Sequence, residues 1–261
     1  MQKAITISKK DTALWSQSLS FIADKANVIE HYHYCYKVVV SLDNSFDCII
    51  DGEAYFKIKG FIINQSIMHS CFAPDAAVLV NFVEIDSILG SNLKALLDGK
   101  AWVDLAEIFD KDQFNQVLPA NYKELSNQQL IPHVDTFLQS LQYAADTTGP
   151  KVMDERIQMV VDLVEQNIQD EIEIEAFAKK IQLSLGRTRH LFMEEMGVSF
   201  SQYVIWQRIR KTMAVAIIEE SKLTEACLRF GFNDQPHFNK TFKRIFGIAP
   251  FGVIRYCRVL L

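Results

Sequence analysis

Three histidines are spaced so that their imidazoles can act together. They are His31 and His33, in His31-Tyr32-His33, and His69, in Ile67-Met68-His69. Alternate side chains of a strand share a face, so an HxH segment presents both rings on one side. A third imidazole would complete a donor set of the kind transition metals favour. The following segment, Tyr34-Cys35-Tyr36-Lys37-Val38-Val39, carries no carboxylate, and Lys37 would repel a cation. No metal and no other cofactor is therefore expected. Two other readings stay open. The rings pack and hydrogen-bond inside a core, or His31, His33, Tyr36 and His69 line a pocket for a small effector.

The other chemistry-bearing groups are thiols and guanidinium groups. Cys35, Cys48, Cys71, Cys227 and Cys257 form no CxxC pair, so neither a zinc framework nor a disulfide scaffold is expected. Cys35, Cys48 and Cys71 sit in apolar runs, without the cationic setting that activates a nucleophilic thiol. Arginine is placed very unevenly: all nine lie at or after Arg156. Residues 1–150 hold 11 Lys+Arg against 18 Asp+Glu, whereas residues 180–250 hold 11 against 6. The overall charge of −5 argues against a nucleic-acid partner, and this distribution reverses the argument. The planar fork of arginine suits phosphates and base edges.

These groups need elements to position them. Up to about residue 85 the pattern is β: Tyr36–Val40, Phe46–Ile50, Ala54–Ile58, Phe61–Ile63 and Ala77–Phe82, separated by turns such as Asp51-Gly52. Such spacing predicts an antiparallel barrel or jelly roll. Leu89, Leu93, Leu96 and Leu97 then mark a helix stopped by Gly99. Leu130, Val134, Phe137, Leu138 and Leu141 mark an apolar stripe on a second, over Gln128–Ala145. That stripe serves either a dimer contact or packing on the barrel. Asp146-Thr147-Thr148-Gly149-Pro150 is the expected linker, dividing the chain into 1–150 and 151–261. The expected class is α+β, a barrel with helices followed by an all-α domain. No apolar run approaches the roughly 18 residues of a membrane span. The N-terminus has no signal-peptide apolar region, so a cytoplasmic protein with no membrane partner is expected.

The back half repeats itself. Ala178 through Phe192 to Gly197, and Cys227 through Phe242 to Gly247, each read as helix, turn, helix, with the phenylalanine five residues before the glycine. Ser184 is the expected cap of one second helix, and Asn233 or Asp234 of the other; Thr224 is expected to cap the first helix of the second copy. Pro236 suits a first turn, where no intrahelical donor is required. Phe238 and Phe242 face inward. Arg187, Arg189 and His190, and Gln235, His237, Asn239 and Lys240, are left outside. Residues 200–220 join the copies, with Val204, Ile205, Ile209, Met213, Ile217 and Ile218 available to pack on both. Two such units reach major grooves about 34 Å apart.

Residues 155–256 resemble the C-terminal domain of the AraC/XylS family of bacterial transcription regulators. The resemblance is carried by Leu223-Thr224-Glu225-Ala226-Cys227-Leu228-Arg229-Phe230-Gly231-Phe232 and by Phe238-Asn239-Lys240-Thr241-Phe242-Lys243-Arg244-Ile245-Phe246-Gly247-Ile248-Ala249-Pro250. It implies a sequence-specific DNA-binding regulator that catalyses no reaction. It also implies base-reading roles at Gly186, Arg189, His190, Gln235, Pro236 and Lys240. The family commonly has arginine where this chain has His190 and Lys240, serine at Pro236 and alanine at Cys227. The partners implied are double-stranded DNA, RNA polymerase, a small-molecule or protein effector at residues 1–150, and a second copy of the chain. The HxH segment also resembles that of cupin barrels, without their glutamate. Two rival readings follow: a cupin-type metalloenzyme or alkyl-acceptor repair protein fused to a DNA-binding domain, and a helix-turn-helix protein that has lost specific reading.

Overall fold

The computed structural model of the chain describes residues 18–144 and 153–260; the expected linker at Asp146–Pro150 lies outside them. The architecture is α+β. Strands β1 (Ser18–Asp24), β3 (Tyr36–Ser41), β6 (Gly60–Ile63), β8 (Ala77–Val83), β9 (Trp102–Asp104) and β10 (Cys257–Leu260) form one antiparallel sheet, in the order β10-β1-β8-β3-β6-β9. Strands β2 (Asn27–His31), β7 (His69–Phe72), β4 (Phe46–Ile50) and β5 (Glu53–Ile58) form the other, in that order. Every residue of β3 and β8 is buried, which is why both read as continuous apolar runs. The β4–β5 hairpin turns at Asp51-Gly52, with φ of 52° and 82°, as a two-residue loop between right-twisted strands requires.

Helix α1 (Ile88–Leu97) is capped by Ser87, which accepts from the Gly90 amide at 2.9 Å. It ends at Asp98 in the left-handed region, one residue before the expected stop. A short helix α2 (Lys111–Asn115) precedes α3 (Asn127–Ala144). The α3 stripe of Leu130, Val134, Phe137, Leu138 and Leu141 is buried inside this same chain. Phe137 packs on Phe109 at 5.9 Å between centroids. The stripe is therefore not available as a dimer surface, which corrects one of the two readings of it.

The C-terminal helices are α4 (Glu155–Gln166), α5 (Ile174–Lys180), α6 (Leu185–Met196), α7 (Phe200–Ile218), α8 (Leu223–Arg229), α9 (Gln235–Phe246) and α10 (Pro250–Tyr256). Beyond α10 the chain crosses back and pairs β10 with β1, Ala23 opposite Cys257 and Ser20 opposite Leu260. Arg258 anchors that strand through Asn127 Oδ1 at 2.8 Å and the Tyr122 carbonyl at 3.0 Å. The end of the helical domain thus completes a sheet that begins near the other end of the sequence.

Candidate nucleic-acid interface and adjoining cavity

Each half of the repeat folds as local chemistry dictates. Ser184 caps α6 by accepting from the Arg187 amide at 3.3 Å, and Asp234 caps α9 by accepting from the His237 amide at 2.6 Å. Asp234, not Asn233, takes that role, with Pro236 in the first turn. Thr224 does not cap α8. Lys222 occupies that position without a side-chain bond, and the Thr224 hydroxyl instead donates to Gln235 Oε1. Phe192, Phe238 and Phe242 are fully buried.

The outward faces carry most of the residues expected there. Gly186, Arg187, Arg189 and His190 are exposed on α6; Pro236, His237 and Lys240 are exposed on α9. Gln235 is half-buried and held by Thr224. Asn239 differs from expectation. It is half-buried, and its Oδ1 is out of solvent with no hydrogen-bond partner among the described residues. The basic side chains of α6 rest on carboxylates: Arg187 reaches Glu194 at 3.4 Å, His190 reaches Glu194 at 3.1 Å, and Arg189 reaches Glu175 at 3.2 Å. All these side chains are about half exposed, so such pairs are worth about 0–1 kcal/mol and yield readily to a phosphate or base.

Helix α7 is more than a spacer between the units. Val204, Ile209 and Met213 are buried, Ile205 and Ile217 are partly covered, and Ile218 stays exposed. Arg208 ties the two units together, donating to the Asp170 carbonyl at 2.7 Å and the Gly231 carbonyl at 3.4 Å. Another face of α7 docks on the β domain, which the sequence reading missed. Glu84, just past β8 and 1 % exposed, accepts from Trp206 Nε1 at 2.9 Å and Gln207 Nε2 at 2.8 Å. It also pairs with Arg210 at 2.8 Å. The Tyr203 hydroxyl donates to Asp86 at 3.0 Å. Burial pushes the Glu84 carboxyl up, and Arg210 pulls it back down.

The two repeat glycines also meet the β domain. Both have positive φ, 69° at Gly197 and 70° at Gly247, as helix-ending residues often do. A Cβ on Gly197 would lie 2.9 Å from Gln65 Oε1, and one on Gly247 would lie 2.6 Å from Val28 Cγ1 and 2.7 Å from the Ile29 carbonyl. Phe246, at the end of α9, stacks on Phe242 at 4.1 Å and on Trp206 at 5.8 Å. It meets Phe82 edge-on at 4.9 Å and His33 at 5.7 Å. A column of rings therefore runs from the second outward-facing helix to the histidines.

His31, His33 and His69 do come together, with ring centroids 4.3–4.9 Å apart. His31 and His69 are cross-strand partners on β2 and β7. Tyr36 is not part of the group. It neighbours Lys37 on β3 and so points to the opposite face, with Gln65 as its hydrogen-bond partner. The residue that joins the imidazoles is Lys37, whose Nζ lies 3.2 Å from His69 Nε2 and 3.5 Å from His31 Nε2. Burial lowers the Lys37 ammonium to about 8. Burial first, and the Lys37 charge second, lower His31 to about 3 and hold His33 and His69 well below the usual histidine range. The rings are neutral and the lysine charged at neutral pH. Beside them opens a cavity of about 370 Å³. Phe21, Val39, Val80, Phe82 and Lys37 line one side; Phe246, Ile248 and Tyr256 of the helical domain line the other.

Paired helix-turn-helix units on one stiff helix, each with an exposed second helix, define a double-headed DNA-binding protein. Residues 177–255 match a family model described as a helix-turn-helix domain. The probable transcriptional regulator LumQ of Photobacterium leiognathi is 22 % identical over 245 residues, covering 87 % of this chain and 92 % of LumQ. The transcriptional activator RhaS of Escherichia coli is 27 % identical over 95 residues, which is 36 % of this chain and only 34 % of RhaS. Among solved structures, ToxT of Vibrio cholerae with an unsaturated fatty acid bound has a TM-score of 0.57 at 15 % identity. That match covers 92 % of this chain and 96 % of ToxT, so the two share an architecture. A ToxT structure bound to (E)-4-(8-methylnaphthalen-1-yl)but-3-enoic acid gives 0.55 at 14 % identity, over 91 % and 97 %. Residues 177–255 thus carry a helix-turn-helix domain similar to those of known transcription regulators, and the chain is a DNA-binding regulator.

Proposed function

We propose that this regulator is controlled by a small apolar carboxylic acid bound between its two halves. The carrying observation is the cavity of about 370 Å³, within the size range of small-molecule sites, walled by the β domain and by the end of the second DNA-binding unit. A single buried cation, Lys37, stands in an otherwise largely apolar lining, and a carboxylate gives it a charge-assisted partner. Both ToxT ligands named above are carboxylic acids with apolar bodies. A ligand there touches Phe246 and Ile248 directly, so its affinity depends on how α9 and the following turn sit on the sheet. That differential affinity shifts the balance between docked and undocked arrangements.

A long-chain unsaturated fatty acid should raise the melting point of the full chain. At one hundred times Kd the stabilisation is about 2.7 kcal/mol. Lys37→Met should remove most of the shift. A melting point indifferent to millimolar fatty acid, or an equal shift in the variant, would rule the ligand out.

On the DNA side, Gly186, Arg187, Arg189 and His190 serve the first unit, and Gln235, Pro236, His237 and Lys240 the second. Asn239 contributes through the fold. Arg189→Ala or Lys240→Ala should weaken binding to DNA selected from a genomic library by about 1–3 kcal/mol, without changing the melting point. Unaltered affinity at fixed salt would remove either residue from the interface. The protein catalyses no reaction. It acts in the cytoplasm on residues 1–150 as sensor and 151–261 as reader, with RNA polymerase and a second copy of the chain as protein partners. The dimer contact does not involve the α3 stripe.

A further inference from the structure

Neither DNA reading nor ligand binding accounts for the three histidines. All are buried, and one ring nitrogen of each lies within 4.8 Å of the others. His31 Nδ1 meets the Ile29 carbonyl at 2.6 Å, and His69 Nδ1 meets the Ile67 carbonyl at 2.9 Å. A carbonyl only accepts, so both Nδ1 atoms carry the proton and both Nε2 atoms present a lone pair. Backbone carbonyls commonly fix metal-binding imidazoles in this way. The two lone pairs converge on Nζ of Lys37. His33 is 1 % exposed, and among the described residues neither ring nitrogen has a well-formed hydrogen bond, the Ile245 carbonyl being its one nearby backbone acceptor. A buried polar ring left unpaired carries a free-energy penalty and calls for an explanation.

We propose that His31, His33 and His69 form a site for a divalent transition-metal ion of the zinc or cobalt class, and that the Lys37 ammonium occupies the site when the ion is not bound. The donor set is nitrogen alone, which favours these ions over magnesium or calcium. The spacing fits an ammonium as the present occupant. Its contacts of 3.2 and 3.5 Å hold the nitrogens wider apart than metal bonds of about 2.0–2.1 Å would. Exchange draws the three nitrogens inward and gives His33 a strong partner in place of its poorly aligned contact with the Ile245 carbonyl. The displaced Lys37 side chain has room, because it already lines the adjoining cavity. Lys37 thus takes the ion's place rather than merely repelling it from a neighbouring position. This proposal stands apart from the fatty-acid reading, since it needs no organic ligand.

The test is a cobalt titration of the full chain, stripped with chelator and followed by visible absorption. The wild type should take up one Co²⁺ with the intense bands of a tetrahedral ion, and Zn²⁺ should displace it. His33→Ala and His69→Ala should each weaken binding by about 100-fold or more, the upper end of what losing an outer-sphere partner costs. Lys37→Met should tighten it by about tenfold or more, since no ammonium then competes. Circular dichroism identifies any variant that fails to fold, and the wild-type titration decides the site without them. No tetrahedral spectrum below about 1 mM Co²⁺, or one unmoved by loss of His33 and His69, overturns the site. A Lys37→Met affinity no tighter than wild type overturns the exchange. Fatty-acid binding is not read in this experiment, so failure of that reading leaves its outcome unchanged.

Discussion

Replacing Arg210 with Met should destabilise the protein by about 3–5 kcal/mol, the usual consequence of removing one member of a buried ion pair. Arg210 is 7 % exposed and Glu84 1 %, and they meet at 2.8 Å between α7 and the end of β8. Without the guanidinium, the carboxylate keeps the Trp206 and Gln207 donors but loses its counter-charge. It can then escape only by taking up a proton or by leaving the interface. The first route makes the penalty shrink as pH falls. The second separates the domains, which small-angle scattering would record as a larger radius of gyration. For a chain of this size the melting point should drop by roughly 6–20 °C. The double variant Glu84→Gln/Arg210→Met should recover much of the loss, because neither member of the pair is then left as an unpaired charge. A single variant that melts within a degree or two of wild type would show that the pair does not hold the halves together. So would a double variant as unstable as the single.

That seam also marks where sequence reasoning stopped. The helix-turn-helix units were legible because their signals are local: Ser184 and Asp234 as caps, Gly197 and Gly247 as stops, phenylalanines at helical spacing. Strands β3, β4, β5, β6 and β8 were legible from their apolar runs. Strands β1, β2, β7, β9 and β10 were not. Ser18–Asp24 becomes a strand by pairing with β8, and Cys257–Leu260 by pairing with Ser18–Asp24 across more than 230 residues of sequence. The docking of α7 had only faint traces: Glu84 closing an apolar run, and Arg210 between Ile209 and the buried Thr212. Neither residue shows its partner, because they lie 126 positions apart. Lys37 left a stronger mark, a lysine inside Tyr36–Val40. Read as a charge beside the imidazoles, it argued against a metal. The geometry instead makes it the group the imidazoles surround, and the cationic end of the cavity. Tyr36 was misplaced for the simplest reason, since adjacent residues on a strand point to opposite faces.

The same cluster makes metal-free protein sensitive to mild acid. In the unfolded chain each of the three histidines titrates near 6.5. In the folded chain burial and Lys37 lower His31 to about 3 and hold His33 and His69 well down. A depressed histidine keeps its neutral form when folded, so the unfolded state binds more protons below pH 6.5. Stability then falls as pH falls, by about 1.4 kcal/mol per pH unit for each ring. The three rings act in the same direction, so their losses add as pH falls below 6.5. Glu84 and Asp86 oppose this, since burial raises both and they accept protons more readily when folded. Lys37 acts in a separate window. Its ammonium falls to about 8 from 10.5, so Lys37 by itself adds about 3 kcal/mol of stability between those values. Denaturant midpoints measured in chelator should therefore drop below pH 6.5, be level from 6.5 to 8, and fall again above about 9, where the Cys35, Cys48, Cys71 and Cys257 thiols, held protonated by burial, together outweigh Lys37. His33→Leu, which replaces the ring with an uncharged apolar side chain, should reduce the acid slope by about one third. A midpoint constant from pH 7 to 5, or a slope unaltered in that variant, would mean that the buried imidazoles take up protons without unfolding the protein.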